Sequence, residues 1–190
     1  MRSKWRRTNT KQVVCADRRI TLNSDTWIIG PLAPVHERGA FDCGTAELNR
    51  YLQEQAGQNA KQDISRTYVA SQPIEPQTIG GYYTLTLRSL GFQELPKEKR
   101  LPHYPIPLVH LGRLAVSANF QGQGLGKRLL LDALRRALMI SDEAGGYAME
   151  VIALNEQAAR FYTQYGFVPV DDDSPRHLYL TMKAIRKLGL

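Results

Sequence analysis

An α/β fold, a mixed central sheet with helices on both faces, is what this sequence predicts, and three observations carry it. Strand-like and helix-like segments follow one another in the order β, α, β, β, β, α, β, α, β, β, without the even alternation of a doubly wound sheet. The strongest helix, Leu125 to Ile140, spaces Leu125, Leu129, Leu130, Ala133, Leu134, Ala137 and Leu138 by threes and fours, the stripe of a helix lying on a core. Just ahead of it the most apolar strand, Leu108 to Val116, runs into a glycine-rich turn.

Each element has its own signal. Thr26 to Leu32 reads as a first strand closed by Pro31 and Pro34. Thr45 is placed as a helix N-cap with Glu47 in the first turn. Leu48, Tyr51, Leu52, Gln55 and Ala56 then share one face of a helix ending near Gln62. Thr67 to Ala70 is a short strand, and Ile79 to Leu87 a longer one with a bulge expected near Gly80 and Gly81. Gln93 to Pro107 holds four prolines and reads as a long exposed loop with no place in a ladder. Strict alternation along Leu108–Val116 puts His110, Gly112, Leu114 and Val116 on one face and Val109, Leu111, Arg113 and Ala115 on the other. Tyr147 to Ala153 is a strand. Asn155 caps a short helix through Tyr165, which Gly166 ends as a C′ glycine. Phe167–Val170 and His177–Met182 close the sheet across an acidic turn, Asp171 to Pro175.

Composition narrows the class. The chain has 190 residues, 43% of them hydrophobic, enough for one core and too many for whole-chain disorder. Cys15 and Cys43 cannot staple a domain of this size. Neither a membrane span nor a signal peptide is indicated, so a cytoplasmic location is expected. The net charge of +7 suggests a polyanionic partner. Residues 1–24, however, carry seven basic side chains and one acidic, which leaves the remainder near balance. Two parts are therefore expected: a basic, flexible arm at 1–24 and a single domain at 25–190. The arm reads as a solvated tail or as a nucleic-acid contact.

Gln121-Gly122-Gln123-Gly124-Leu125-Gly126 joins the apolar strand to the strong helix. Glycines let a backbone turn tightly with its amides facing inward, and a helix N-terminus adds partial positive charge, so this turn suits an anion. Lys127 and Arg128 add cation nearby. A dinucleotide fingerprint fails because Lys127 occupies its last glycine position. A phosphate loop of the nucleotide-hydrolase type fails too: Gly122 and Gly126 are one residue too close, and Arg128 replaces the hydroxyl residue. Pyrophosphate binding without a metal fits best, and the four histidines show no metal-ligand spacing.

Val109-His110-Leu111-Gly112-Arg113-Leu114-Ala115-Val116, followed by Gln121-x-x-Gly124-x-Gly126, resembles the acetyl-CoA signature of the GNAT superfamily of N-acetyltransferases. Asn155-Glu156-x-Ala158-Ala159-x-Phe161-Tyr162-x-x-x-Gly166-Phe167 is similar to its second signature. A narrower resemblance lies in Phe41-Asp42-Cys43-Gly44, Leu48-Asn49-x-Tyr51-Leu52, Arg66-Thr67-Tyr68-Val69 and Gly81-Tyr82-Tyr83, together with the proline stretch before His110. These look like the acetyltransferase toxins of bacterial toxin–antitoxin pairs, which acetylate the α-amine of aminoacyl-tRNA. The resemblance implies a mostly antiparallel sheet, acetyl-CoA as cosubstrate, no metal, aminoacyl-tRNA as substrate, a small ribbon–helix–helix antitoxin as partner and, often, a homodimer.

Carried over residue by residue, the resemblance gives the pyrophosphate to Gln121, Gly122, Gln123, Gly124, Gly126 and Lys127, with Arg128 as helper. It gives the pantetheine arm to the backbone of Leu114, Ala115 and Val116. Asn155 is either a contact near the thiol end or a plain N-cap. Tyr162 is the expected catalytic residue, a phenol that protonates the departing thiolate. For the acceptor, candidates are Arg66, Arg88, Lys97, Lys99, Arg100, His110, Arg113 and Arg176. His110 reads as a base or as a structural histidine, and Cys43 as a structural thiol more than a reactive one. An α-amine titrates near about 7.7–8.0, lower still beside an ester, so orientation alone can suffice for attack. Two rivals stay open: a GNAT enzyme for a small amine or protein N-terminus, and a non-catalytic RNA-binding domain on the same frame.

Overall fold

The computed structural model describes residues 26–91, 104–171 and 173–190. The basic arm, most of the proline-rich segment and with it Lys97, Lys99 and Arg100 lie outside the described residues. Seven strands form one sheet: β1 (Ile28–Pro31), β2 (Arg66–Gln72), β3 (Glu75–Leu90), β4 (Ile106–Val116), β5 (Ala148–Ile152), β6 (Val168–Pro169) and β7 (His177–Thr181). Their order across the sheet is β1-β2-β3-β4-β5-β7-β6. Only β4 and β5 run parallel. Their connection is the long helix α3 (Leu125–Ala144), the crossover that a parallel pair requires.

The helices cover opposite faces. On one, α3, α4 (Glu156–Thr163) and a short terminal α5 (Met182–Arg186) enclose Val109, Leu111, Leu129, Leu134, Met149, Val151 and Tyr162. On the other, α1 (Ala46–Arg50), a wider π turn (Tyr51–Gln55) and α2 (Ala56–Lys61) bury Tyr51, Leu52 and Ala56 against Val69, Tyr82 and Ala115. Among the described residues no helix is long and apolar enough to cross a membrane.

The bulge expected in β3 is present. Gly81 faces Ala70 and Ile79 faces Ser71, which leaves Gly80 as the extra residue. A Cβ on Gly80 would stand 2.1 Å from the Trp27 ring, so nothing larger than glycine lets that ring lie across the strand.

Four local expectations need correction. Thr45 holds the N-cap position but its side chain caps nothing; the nearby Asp42 Oδ1 instead accepts from Gly44 N (2.8 Å) and Asn49 Nδ2 (2.7 Å). Gln55 is exposed, because the π turn adds a residue and rotates the following positions by roughly 100°. Pro107, expected in a loop, sits in β4 opposite Ser89, and its carbonyl accepts from Tyr147 N. The strict alternation along β4 is broken as well: Thr84 faces Arg113 and Leu85 faces Leu111, so Gly112 is a second bulge. One extra residue inverts the phase. Val109 and Leu111 therefore share the α3 face with Leu114 and Val116, while Arg113 and Ala115 lie on the face of His110.

Candidate active site

The register of β4 with β5 stops at Leu111 and Val151. Beyond it the strands part, and Arg113–Val116 have a strand partner only on β3. Two clefts open at this split. The first, about 340 Å³, is lined by Cys43, Leu114, Ala115, Val116, Gln121, Gly126, Asn155, Phe161 and Tyr162. The second, about 420 Å³, lies on the α1 side and is lined by Leu48, Tyr51, Ser65, Thr84, His110, Arg113, Leu154 and Tyr162. Tyr162 belongs to both, as do Leu114 and Ala158.

The first cleft joins most of the residues expected to hold the cofactor. Its outer end is the turn before α3, where Gly122 (φ +73°) and Gly124 (φ +79°) take left-handed conformations that other residues adopt only with strain. Gly124 is the N-cap of α3 and supplies no side-chain cap. The first-turn amides, which have no intrahelical acceptor, are thus left for a ligand. Gln121 ties the turn down: its Nε2 donates to Cys43 O (3.1 Å) and Val116 O (3.0 Å). Gln123 does the same through Asn119 O (3.0 Å). Gly122, Gln123, Gly124, Lys127 and Arg128 stand exposed on the turn and outside the cleft lining. An unpaired strand edge, an apolar trough and an uncapped helix N-terminus fit the pantetheine arm and pyrophosphate of acetyl-CoA. That molecule would supply the activated acetyl thioester.

Asn155 is the N-cap of α4, accepting from Ala158 N at 2.9 Å, and it also lines the first cleft. The N-cap reading of this residue is borne out. Tyr162, 5% exposed, packs between Phe161 and Phe167. Burial alone, with no hydrogen bond among its causes, pushes the phenol well above its usual range, so it carries its proton at neutral pH. Cys43 is half-buried and donates to Asn49 Oδ1 (3.1 Å); burial raises its thiol, the opposite of an activated nucleophile.

The acceptor candidates divide. His110 and Arg113 line the second cleft, brought to one face by the Gly112 bulge. Arg113 finds its partner in a ring, with its guanidinium carbon 3.7 Å from the Tyr51 centroid. Arg66 is turned away, paired with Asp63 and Ala60 O. Arg176 donates to Leu154 O beside the cleft without lining it. Arg88 reaches Glu150 instead of the cleft.

Two residues at the second cleft were not among the expected site residues: Tyr51, read only as part of a helix face and of the resemblance, and Glu150. Glu150 is fully buried, and its carboxylate accepts from His177 Nε2 (2.5 Å), His110 Nδ1 (2.8 Å) and Arg88 Nη1 (3.2 Å). Burial would raise this carboxyl, but the hydrogen bonds of His110 and His177 and the charge of Arg88 outweigh it and hold it below the ordinary value. The signal for it was one acidic residue inside the apolar run Tyr147–Ala153, a charge that burial obliges to find partners.

Comparison with known proteins agrees with this geometry. Residues 63–169 match the family described as an acetyltransferase (GNAT) domain. The chain is 35% identical over 150 residues to the tRNA-acetylating toxin of Mycobacterium tuberculosis, covering 78% of this chain and 88% of that protein. It is 30% identical over 175 residues to the probable toxin TacT of Sinorhizobium fredii, covering 85% and 94%. Among solved structures, a tyrosine-to-phenylalanine mutant of KacT matches with a TM-score of 0.81 at 32% identity, over 85% of this chain and 98% of that one. AtaT complexed with acetyl-methionyl-tRNAfMet matches with 0.80 at 31% identity, over 87% and 100%. AtaTR bound with acetyl-CoA gives 0.78 at 32% identity, over 87% and 99%. Likeness of this extent in both sequence and fold, around a split strand pair and a glycine turn, means that this chain belongs to the GNAT family of acetyltransferases and is related to the toxins AtaT and KacT.

Proposed function

We propose that this chain moves the acetyl group of acetyl-CoA onto the α-amine of aminoacyl-tRNA and thereby blocks translation, as a toxin restrained by a partner antitoxin. The observation that carries the reading is the shared wall: Tyr162 lines both the cofactor-side and the acceptor-side cleft, where a group passing between two substrates must cross. The first-turn amides of α3, with Lys127 and Arg128, hold the pyrophosphate. The free edge of Leu114–Val116 pairs with the pantetheine arm, and Asn155 steadies its thiol end. Tyr162 gives its proton to the departing sulfur. Arg113 draws the phosphate-rich acceptor end toward the second cleft, and Arg66, Arg88 and Arg176 lie further out for the stem.

The complexes of related proteins support the partners. AtaT has been seen with acetyl-methionyl-tRNAfMet and, together with AtaR, bound to DNA. For this chain the proposal is an antitoxin of ribbon–helix–helix type, a homodimer, a cytoplasmic location, and residues 1–24 as a basic extension to the domain at 25–190. Incubation with acetyl-CoA and total charged tRNA tests the chemistry. The expected product is an N-acetylated aminoacyl group on one or a few tRNA species. Acetylation of free amines or peptide N-termini with charged tRNA untouched would contradict it.

A further inference from the structure

Glu150 is the only charged side chain that is buried among the described residues. A carboxylate so placed is costly unless every lone pair is used, and ion clusters of this kind seldom out-stabilise apolar packing. This cluster ends in the second cleft. His177 and Arg88 share Oε1, His110 Nδ1 takes Oε2, and the His110 ring lines the cleft. An ionised carboxylate only accepts, so Nδ1 of His110 carries hydrogen, and in the neutral ring Nε2 holds the lone pair. That nitrogen makes no hydrogen bond to a described residue. It lies beside the bulge, 3.8 Å from where a Cβ on Gly112 would stand.

We infer that His110 Nε2 is the proton acceptor for the α-ammonium of the bound aminoacyl ester, and that Glu150 is the positioning residue that fixes its tautomer; this rests on the acceptor assignment proposed above. The ammonium gives one proton to Nε2 and becomes nucleophilic. Its lone pair forms the N–C bond at the thioester carbonyl as the C–S bond breaks, and the sulfur leaves with that electron pair and the Tyr162 proton. Of the two protons then on the acylated nitrogen, one passes to Tyr162 and restores it while the other stays as the amide N–H; His110 returns its own to solvent, so one proton is released per acetyl transferred. The ring touches Glu150 (β5), which is shared with His177 (β7) and Arg88 (β3); the other titratable or charged groups lining its cleft are Arg113 (β4), Glu47 (α1), Tyr51 (the π turn) and Tyr162 (α4).

The test is kcat/KM on charged tRNA from pH 5.5 to 8.5 for wild type, His110→Gln and Glu150→Gln, with acetyl-CoA affinity measured alongside. His110→Gln is expected to lose about 100-fold at the acid end, shrinking to a few-fold at the alkaline end, where the amine is already neutral. Glu150→Gln should show the same shape at about 10-fold. Nitrogen-15 NMR of the neutral wild-type ring should find Nδ1 protonated. A loss independent of pH, no loss, or an Nε2-protonated ring would overturn the assignment. Should Glu150→Gln fail to fold, His110→Gln and the wild-type spectrum decide. A wild type that leaves charged tRNA untouched would overturn the acceptor reading itself, and an active wild type with a flat His110→Gln ratio would overturn this inference alone.

Discussion

The two clefts that meet at Tyr162 are made of different material. The first cleft follows backbone: a stretch of β4 paired with β3 alone and, at its outer end, a turn with two left-handed glycines and the amides of a helix end. The second cleft is built from side chains delivered by β3, β4, β5 and the helical segments on both faces, with Arg113 on Tyr51 and His110 on Glu150. Backbone recognition tolerates many apolar residues and depends on glycine at a few places. Side-chain recognition depends on identity and on register. On the proposed function, the first region serves acetyl-CoA, whose structure is fixed, and the second the charged tRNA.

Substitutions that touch one cleft and spare the other sharpen this contrast. The largest separation is expected from Gly126→Trp: a Cβ at Gly126 points toward Val116 Cγ2 (3.7 Å) and Phe161 Cζ (3.8 Å), so an indole there fills the first cleft. Calorimetry should show acetyl-CoA affinity reduced on the order of 100-fold, with charged-tRNA binding retained. Equal loss of both would mean the clefts are one site. Arg113→Ala should do the reverse at smaller scale, raising KM for charged tRNA about 5- to 10-fold with acetyl-CoA affinity unchanged.

Asn155→Ala distinguishes the two readings of that residue. Loss of the cap should cost about 1 kcal/mol in a denaturation experiment; a rise in acetyl-CoA KM larger than that would show that the amide also touches cosubstrate. The smallest effect is expected from acid. The Glu150 carboxyl is held below its unfolded value, so its stabilisation is present above about pH 4.3 and is lost as pH falls through the folded value. Acid unfolding of Glu150→Gln should lack that step, and identical acid profiles would remove Glu150 from the stability account.

The same division decides what was legible in the sequence. The stripe of α3, the glycine turn, the Asn155 cap and the Gly80 bulge are local patterns, each written within a few residues. The bulge at Gly112, the π turn at Tyr51 and the cluster around Glu150 are set by pairing between distant strands. His110, Glu150 and His177 lie on three strands that no sequence spacing relates. Reading β4 as strictly alternating separated His110 from Arg113, and one unpaired glycine brings them together.

Single-turnover transfer by Tyr162→Phe tests most directly the claim that the two clefts work through one shared phenol. No hydrogen bond contributes to the phenol's shift, which is due to burial alone, so removing the hydroxyl should leave thermal stability and both substrate affinities close to wild type. The transfer rate to charged tRNA should fall by about 10² to 10⁴. Transfer at the wild-type rate, or a loss explained by weaker binding of either substrate, would contradict the account.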